Sequence, residues 1–306
     1  MNKSEDLIKK LNSNKKIMIL GSAILDMLIK IDALPKSGED ITGIQKETNV
    51  GGCAYNISKI LNHLNINHDL FVPIGTGIHA DIIKKQLLKD NRKLFAEDEC
   101  MDNGWCLSFV ENDGERTFVT IQGIETNWKH EWFNKVTIKD YDYIYISGYQ
   151  FQESGSSGDV ILKALENKKE SCSIIFDPGP RVKYINKKVL KKLLNMNTIL
   201  ELNKTELILL SGEEDIYKAA KKLYDITNNP VIATLGGDGT LYCASQGTNI
   251  VPSKKVDVVD TIGAGDSHTA AFMSGIASGF TIEEACIFGN QVASKVVQNS
   301  GCTITL

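Results

Sequence analysis

The sequence lacks several features that would place it in a familiar class of protein. Its seven cysteines are scattered without a C-x-x-C pair, so we expect small buried side chains in a reducing compartment. No apolar run approaches the roughly 18 residues of a transmembrane span, and Met1 to Asn14 is polar, unlike a signal peptide. A formal net charge of only −4 argues against nucleic acid or an anionic membrane as a partner.

The features that are present describe an ordinary globular protein. Of the 306 residues, 42% are hydrophobic and 24% are charged, which suffices to bury one large core. We therefore expect a single domain over residues 1–306, located in the cytoplasm. A Rossmann dehydrogenase is disfavoured because no G-x-G-x-x-G follows the first predicted strand, where Gly21-Ser-Ala stands instead.

A glycine-rich stretch, Asp260-Thr-Ile-Gly-Ala-Gly-Asp266, is the feature around which the chain is organised. It follows a β-like run, 254–259, and precedes a segment with helical spacing, 267–279. The amides from Gly263 to Gly265 would then face outward at a helix N-terminus, which carries free donors and a partial positive charge. Such a terminus suits a phosphate group, and small residues let the backbone approach it closely.

Asp266, the last residue of this stretch, has two interpretations. A carboxylate repels phosphate, so its presence makes sense if it accepts a proton from an attacking hydroxyl while the amides hold the transferring phosphoryl group. The alternative is that Asp266 only caps a helix beside a glycine-rich turn.

Strands and helices alternate along most of the chain, which predicts an α/β fold with a parallel sheet and helices on both faces. Ligands bind at the C-terminal ends of such strands, where Asp177, Asn203 and Thr234 fall. The predicted strands of this sheet are 16–22, 68–74, 142–147, 173–176, 198–202 and 231–235. After a short N-terminal helix, the predicted helices are one following Gly51-Gly52, then 79–89, 158–168, 187–195, 204–226 (broken at Gly212), 267–279 and 281–299.

A hairpin interrupts this alternation. Residues 104–111 and 116–122 alternate in polarity and are joined by Asn112-Asp113-Gly114-Glu115, a strong turn signal. With the predicted strands 25–31 and 44–50, the hairpin could form a four-stranded sheet outside the main one. We expect this small sheet, over about 25–50 and 104–122, to be a lid.

Four motifs taken together resemble those of the ribokinase-like (PfkB) family of carbohydrate and nucleoside kinases, over roughly residues 16–306. The stretch Asp260-Thr-x-Gly-Ala-Gly-Asp266 resembles the C-terminal signature, and Gly51-Gly52-x-x-x-Asn56 with Asp26 resembles the N-terminal one. Asn203-Lys-Thr-Glu206 is similar to the family's N-x-x-E motif, and Thr234-Leu-Gly236-Gly-Asp-Gly239 to its nucleotide loop. The resemblance implies an α/β core, a β-sheet lid over the acceptor, and phosphorylation of a hydroxymethyl group of a monosaccharide by ATP.

The resemblance also implies roles for individual residues. Asp266 would be the base, and the amides of Gly263, Ala264, Gly265 and Asp266 would form the anion hole. The substrate hydroxyls would be held by Asp26, Gly52 and Asn56. The nucleotide would be lined by Asn203, Thr234, Gly236, Gly239 and Asn290, while Glu206 would orient waters on Mg²⁺.

A monovalent cation such as K⁺ is a further expectation from the resemblance. Relatives that use this ion hold it with a carboxylate at the position of Asp260 and with backbone carbonyls. The ion would neutralise Asp260 and fix the glycine loop, whereas the alternative is that Asp260 hydrogen-bonds Thr261 or neighbouring backbone. The other matching positions are Ile262, Val296, Asn299, Gly301 and Thr305.

Several positions leave a choice open. His268 stands where the family usually has phenylalanine and is interpreted as a core histidine or one that supports the site. Arg181, in Asp177-Pro-Gly-Pro-Arg181, either neutralises phosphate or lies on the surface. Cys53 and the stretch 147–153 offer further contacts to a sugar.

Other functions compete with a sugar kinase. The pocket residues do not distinguish a sugar kinase from a nucleoside kinase of the same family. We also predict a homodimer that forms through the lid. A vitamin kinase is less favoured, because Asp26 with Gly51-Gly52-x-x-x-Asn56 suits a polyol-like acceptor. A non-catalytic ligand sensor on this fold is the third alternative, against which the intact Asp266 speaks.

Overall fold

The structure is a computed structural model that describes residues 3–112, 115–151, 157–299 and 301–302. Its strands, in chain order, are β1 (Ile17–Leu20), β2 (Ile24–Lys30), β3 (Ile44–Gly51), β4 (Asp69–Phe71), β5 (Pro73–Ile74), β6 (Ala96–Glu97), β7 (Trp105–Val110), β8 (Arg116–Ile121), β9 (Tyr143–Ser147), β10 (Ser173–Asp177), β11 (Thr198–Asn203), β12 (Val231–Thr234), β13 (Thr240–Ala244) and β14 (Gly247–Val251). Its α-helices are α1 (Lys3–Lys10), α2 (Cys53–His63), α3 (Ile78–Lys89), α4 (Ser157–Leu165), α5 (Lys187–Leu194), α6 (Lys204–Ser211), α7 (Ile216–Thr227), α8 (Ala264–Ala277) and α9 (Ile282–Val296).

Eight of the described strands form the main sheet, in the order β14-β13-β12-β11-β10-β9-β1-β4. Every pair from β4 to β12 is parallel, and β13 and β14 add an antiparallel hairpin at one edge. Parallel strands that are buried on both faces form continuous apolar runs, which is why most of them could be predicted from the sequence. The predicted α/β fold with a parallel sheet is confirmed.

The side chains of the main sheet supply hydrophobic cores on both of its faces. Met18 and Leu20 of β1 pack among residues of α4 to α7, whereas Ile17 and Ile19 pack among residues of α2, α3, α8 and α9. Successive side chains of a strand point to opposite faces of a sheet. The helices therefore cover both faces and leave the strand ends accessible.

A second sheet, β3-β2-β7-β8, is formed by residues 24–51 and 105–121, and we call it the lid sheet. It lies where the sequence predicts four strands outside the main sheet. The central strands β2 and β7 are parallel, and the edge strands β3 and β8 are antiparallel to their neighbours. The predicted hairpin turn includes Asp113 and Gly114, which lie outside the described residues.

The predicted strand 254–259 is wrong. These residues form no strand, and Val258 and Val259 are 60% and 66% exposed. The hairpin β13–β14, which the sequence reading missed, occupies this edge of the main sheet. The amides of Val259 and Asp260 instead donate to the carbonyl of Val297, at 2.8 and 3.1 Å, and so attach this segment to the end of α9.

The predicted strand 68–74 is divided between two sheets. Its first part, β4, is an edge strand of the main sheet, and its second part, β5, pairs with β6. Pro73 begins β5 and has no N–H to donate to a ladder, which favours a change of sheet at this point. The helix predicted from residue 267 begins three residues earlier, at Ala264.

A buried polar network joins β11, β13, α8 and α9. His268 Nδ1 lies 2.5 Å from Glu201 Oε1, and Nε2 lies 2.9 Å from the Thr240 hydroxyl. Thr240 donates its one proton to Asn290 Oδ1 at 2.7 Å, so its oxygen accepts from Nε2–H of the histidine. The imidazole ring of His268 thus bridges Glu201 of β11 and Thr240 of β13 within the core.

We expect His268→Ala to destabilise the fold, because it leaves the carboxylate of Glu201 buried without its partner. The free energy of unfolding should fall by about 3–5 kcal/mol, as measured by urea denaturation. His130→Ala is the matched control, since His130 is exposed and its loss should change stability by at most about 0.5 kcal/mol. A loss at His268 no larger than that of the control would contradict the buried pair.

Candidate active site

Three adjacent parallel strands of the main sheet end in polar residues. Asp177 ends β10, Asn203 ends β11 and Thr234 ends β12, and Asn203 pairs in register with Thr234. Helix α8 brings its first turn to the same edge, since ligand atoms of Asp266, Asp177 and Cys53 all lie within 4.8 Å of one another. This is the position at which open α/β sheets bind their ligands.

The N-terminus of α8 has the form of an anion site. Gly263 caps the helix with φ of 75°, a left-handed conformation that favours glycine. The amides of Gly263, Gly265 and Asp266 have no acceptor within the described part of the chain, so they can donate to an anion. Ala264 differs from this expectation, because its amide donates to the carbonyl of Thr261 at 3.2 Å.

Asp266 lies between this helix terminus and α2. Asn56 Nδ2 donates to its carboxylate at 2.7 Å. Burial raises the pKa of Asp266 to about 6, although hydrogen bonds from Asn56 and Cys53 act in the opposite direction. A carboxylate with this pKa is ionised near neutral pH and still basic enough to accept a proton from a reacting hydroxyl.

Asp26 extends from the lid sheet toward the same point. Burial and then the charge of Asp266 raise the pKa of Asp26 to about 6. Gly51 makes room for it, because a Cβ on Gly51 would lie 1.8 Å from Asp26 Oδ2; the next residue, Gly52, has φ of 93°, and a Cβ there would lie 2.8 Å from the carbonyl of Ser22. Gly51 therefore permits a close approach between β3 and β2, and Gly52 permits one between the start of α2 and the segment before β2.

The predicted acceptor residues and the glycine loop share one cleft of about 1120 Å³. The lid sheet and neighbouring loops add further side chains to it, and the guanidinium of Arg181 stacks 5.3 Å from the ring centroid of Tyr149. Gln152 and Glu153, part of the stretch predicted to contact a sugar, lie outside the described residues. The predicted residues in the lining are Asp26, Gly52, Cys53, Asn56, Tyr149, Gln150, Arg181, Asp260, Ile262, Gly263, Asp266 and Gly301, and the added ones include Cys106, Ser108, Phe118 and Thr120.

Negative charge is concentrated at the strand ends. Burial, followed by the charges of Glu206 and Asp266, raises the pKa of Asp177 well above its usual range. Tyr145 donates its hydroxyl to Asp177 at 3.3 Å, and the amide of Gly179 donates at 2.9 Å. Carboxylates crowded in this way would be relieved by a divalent cation, so the donor set fits Mg²⁺.

The N-x-x-E residues are joined in a capping box at the start of α6. The amide of Glu206 donates to Asn203 Oδ1 at 2.9 Å, and the amide of Asn203 donates to Glu206 Oε2 at 2.8 Å. Glu206 is buried, and burial raises the pKa of its carboxyl. Thr234 lies on the next strand and donates its hydroxyl to the carbonyl of Leu202 at 3.2 Å.

The predicted nucleotide loop is a tight turn between β12 and β13. Gly236 and Gly239 have φ of 62° and 105°, and a Cβ on Gly239 would lie 2.0 Å from the carbonyl of Val251. Asn290 is not in the cleft: it is buried, donates to the Val251 carbonyl at 3.1 Å and accepts from Thr240. The side chain of Asn290 therefore supports this turn from within the core.

Asp260 is buried and surrounded by donors. Its carboxylate accepts from the amides of Ile262 and Gly301, at 2.9 Å each, and pairs with Arg116 of β8 at 3.0 Å. Thr305, one of the predicted cation ligands, lies outside the described residues. Sequence reasoning proposed the backbone contacts as one alternative and did not find Arg116.

Several lid residues in the cleft were not predicted from the sequence. The alternation of side chains along β7 and β8 nevertheless contained a signal for them. Even-numbered positions of this hairpin, among them Ser108 and Arg116, face the cleft or its end, because a strand has a period of two. The pattern alone defined two faces but not which of them turned inward. That choice depends on how the lid sheet sits over α2 and α8.

The fold and the site together define a class of protein: an α/β protein whose strand ends meet a helix N-terminus with free amides beside a buried carboxylate. A model of the pfkB family of carbohydrate kinases matches residues 14–306. The uncharacterised sugar kinase YegV of Escherichia coli (strain K12) is 33% identical over 299 residues, which is 96% of this chain and 92% of that protein. The chain belongs to the pfkB family of carbohydrate kinases and is a phosphotransferase with a hydroxyl acceptor.

Solved structures share this fold. The ribokinase of Thermotoga maritima superposes with a TM-score of 0.82 at 24% identity, covering 94% of both chains. The ribokinase of Arabidopsis thaliana, solved with ribose and ATP, gives a TM-score of 0.78 at 22% identity, again covering 94% of both chains. Among the described residues, no helix is both long and apolar enough to span a membrane.

The pH dependence of the reaction should report the raised pKa of Asp266. Since the base must be deprotonated, kcat/KM should be lost as the pH falls through about 6, rather than near the ordinary aspartate value of about 4. Asn56→Ala removes a hydrogen bond to the charged form, so the acid limb should move to higher pH. The measurement is a pH profile of phosphorylation rates, with Asp26→Asn as a control for the second carboxyl that titrates near 6.

An acid limb near pH 4 in the unmodified enzyme would contradict this assignment. Loss of the acid limb in Asp26→Asn would mean that the limb reports the titration of Asp26 and not that of Asp266.

Proposed function

We propose that this kinase transfers the γ-phosphoryl group of ATP to a hydroxymethyl group of a monosaccharide, with Asp266 as the general base. The observation that carries the proposal is the position of Asp266. Its carboxylate faces the acceptor cleft, while its own amide and those of Gly263 and Gly265 belong to the helix terminus that suits a phosphate. A hydroxyl and a phosphoryl group placed on either side would meet at this residue.

In the proposed step the acceptor oxygen forms a bond to the γ-phosphorus as the bond to the β–γ bridging oxygen breaks. The hydroxyl proton passes to the carboxylate of Asp266, and ADP leaves. The free amides at Gly263, Gly265 and Asp266 stabilise the charge on the transferring group. When bound, Mg²⁺ would neutralise phosphate charge, and Glu206 and Asp177 would hold its waters.

The acceptor would be bound between the lid sheet and α2. Asp26 and Asn56 offer a carboxylate and an amide for neighbouring hydroxyls, and the two glycines allow close approach. Ser108, which is 6% exposed, adds a buried hydroxyl that has no hydrogen-bond partner within the described residues. A buried site of this polarity favours a polyol, because hydroxyls on the substrate satisfy groups that would otherwise remain unpaired.

The lid sheet would exclude water when it covers the acceptor, with residues 1–306 acting as a single domain. The nucleotide would lie along the ends of β11 and β12, against Asn203, Thr234, Gly236 and Gly239. Asn290 would act there only through the turn that it supports. A potassium ion held by Asp260, Ile262 and Gly301 stays a prediction.

The experiment that tests the proposed function is an ADP-release screen with Mg-ATP across pentoses, hexoses, sugar acids and nucleosides. A sugar that stimulates ADP release and accumulates as a phosphate ester supports the proposal. Turnover of nucleosides alone would establish the nucleoside kinase instead. Binding of a ligand without any turnover would favour the sensor.

Asp266→Asn should keep the shape of the site but remove the base. We expect kcat to fall by roughly 10²–10⁴ with the Kd for ATP nearly unchanged. Steady-state kinetics and nucleotide titration measure the two quantities separately. Asp257→Asn is the control, because Asp257 lies on the same segment but outside the cleft lining, and it should not change kcat. Equal kcat values for the two variants would show that Asp266 is not the base.

Ser108→Ala tests whether the lid contributes directly to acceptor binding. The loss of one hydrogen bond should raise KM for the sugar about 2- to 10-fold, while kcat changes little. Thr117→Ala is the matched control, because Thr117 lies on the opposite face of the hairpin from the cleft-lining Phe118. An unchanged KM in Ser108→Ala would show that the hydroxyl does not reach the sugar.

We also propose a homodimer through the outer face of the lid sheet, which carries apolar side chains. Val119 and Ile121 on the edge strand are 44% and 43% exposed, and a second copy of the same face would cover them. Changing both to aspartate should convert a dimer into a monomer in light scattering coupled to gel filtration. Ile250→Asp, on the edge strand β14, is the control; a wild-type monomer would exclude this interface. The other members of the face are Met27, Ile29, Leu107 and Phe109.

The cytoplasm is the proposed location. All seven cysteines are free, and most are buried, as suits a reducing compartment. Fractionation of cells that produce the protein, with detection in the soluble cytosolic fraction, tests this proposal.

A further inference from the structure

The lid sheet and the phosphate-binding loop are connected by one ion pair. Arg116 is the first residue of β8, and its Nη1 lies 3.0 Å from Asp260 Oδ1. The side chain of Asp260 is 4% exposed and that of Arg116 is 24% exposed, so the pair is largely shielded from water. Phe118 and Thr120 follow Arg116 on the same face of β8 and line the cleft.

Asp260 organises the backbone on both sides of the phosphate site. Its Oδ1 accepts from the amide of Ile262, directly before the capping glycine Gly263, and its Oδ2 accepts from the amide of Gly301. The Cβ of Cys302 lies 2.5 Å from where a Cβ on Gly263 would be, so these two segments pack in direct contact. A displacement of Asp260 would therefore move the start of the loop that carries the free amides.

The carboxylate of Asp260 is maintained in its charged form. Burial would raise its pKa, but the amides of Ile262 and Gly301 together with Arg116 outweigh burial and hold it below the ordinary value. The negative charge therefore requires a positive counterpart at all pH values at which the enzyme would work. Arg116 supplies this charge, since guanidinium groups stay protonated.

A monovalent cation does not fit beside this carboxylate as it stands. Two backbone donors already use two of about four lone-pair directions on the carboxylate, and the guanidinium Nη1, which lies 3.0 Å from Oδ1 as an ion pair without hydrogen-bond geometry, occupies the space beside it. A further cation in contact with Asp260 would also lie close to the positive charge of Arg116 and be repelled by it. The residues around Asp260 thus disagree with the potassium site that its position suggests.

We propose that Arg116 is a positioning residue that takes the place of a monovalent cation: its guanidinium neutralises Asp260 and fixes the loop 261–266. The proposal rests on the proposed function, because this loop is the one that would hold the phosphoryl group. Since Arg116 belongs to the lid sheet, the fixed charge is present only while the lid sheet lies over the cleft. Lid position and phosphate binding are coupled through this pair.

The first experiment is independent of activity. The melting temperatures of wild type, Arg116→Ala and Arg116→Lys are compared in potassium and tetramethylammonium chloride at equal ionic strength. Wild type should melt at the same temperature in both salts, whereas Arg116→Ala should melt lower and be restored by potassium, which can enter the vacated position. Lys46→Ala, an exposed cation on the opposite edge strand of the lid sheet, should behave as wild type.

Hydrogen exchange of residues 261–266 and 105–110 supplies the second measurement. Arg116→Ala should exchange faster in both segments, and potassium should slow exchange in 261–266 but not in the lid strand, because the ion is not attached to the lid. Arg116→Lys should fall between wild type and Arg116→Ala, since it keeps the charge without the planar donor group. A merely structural role would produce faster exchange that no cation reverses.

Kinetics give the third readout once an acceptor is known. Arg116→Ala should lose kcat by about 10- to 100-fold in tetramethylammonium chloride with the KM for ATP changed far less, and potassium should restore it several-fold. Wild-type activity should be independent of the cation.

Two results would overturn the proposal. One is potassium-specific stabilisation or activation of wild type, which would mean that the ion binds beside Arg116. The other is that potassium rescues Arg116→Ala in neither melting nor exchange. Failure of the proposed function is distinguishable from both, because it appears as the absence of ADP release with any acceptor while the melting and exchange experiments still decide the role of Arg116.

Discussion

The proposed mechanism depends on one constraint: a buried carboxylate, Asp266, must stay ionised beside the amides that would hold a phosphate. Asp26 and Asp177 lie near it, and burial raises the pKa of all three. Such a cluster would repel ATP unless positive potential faced it, and no basic side chain forms the phosphate loop itself. Backbone donors at the start of α8, with a divalent cation at the strand ends, meet this need without placing a protonated group against the base.

The glycines of the site follow from the same constraint. Backbone amides reach a phosphate only when no side chain stands between them, and the acceptor carboxylate Asp26 must come close to α2. A Cβ on Gly51 would overlap that carboxylate, and a Cβ on Gly263 would overlap Cys302. These positions are close approaches between segments that are distant in sequence, so the glycines permit the assembly of the site rather than its local flexibility.

Features that depend on a single strand or helix could be predicted from the sequence. Features that depend on contacts between two elements could not. Apolar runs and motif order located the parallel strands and the residues at their ends, because burial on both faces leaves a local pattern. The run 254–259 has a similar pattern and is no strand, since the edge it needed is already occupied. Arg116 and Asn290 were assigned incompletely because their partners, Asp260 and Thr240, are far away in the chain.

The lid sheet illustrates why the alternation of a strand matters for both chemistry and assembly. A two-faced sheet normally turns its apolar side chains to the core, but here the inward face meets a cleft and combines polar residues such as Ser108 and Arg116 with apolar ones such as Leu28 and Phe118. Further apolar residues, including Val119, lie on the outside. A sheet with this arrangement gains little from hydrophobic burial against its own core. It is therefore held over the cleft by polar contacts at its end, and a partner on its outer face would supply the burial that the inner face cannot.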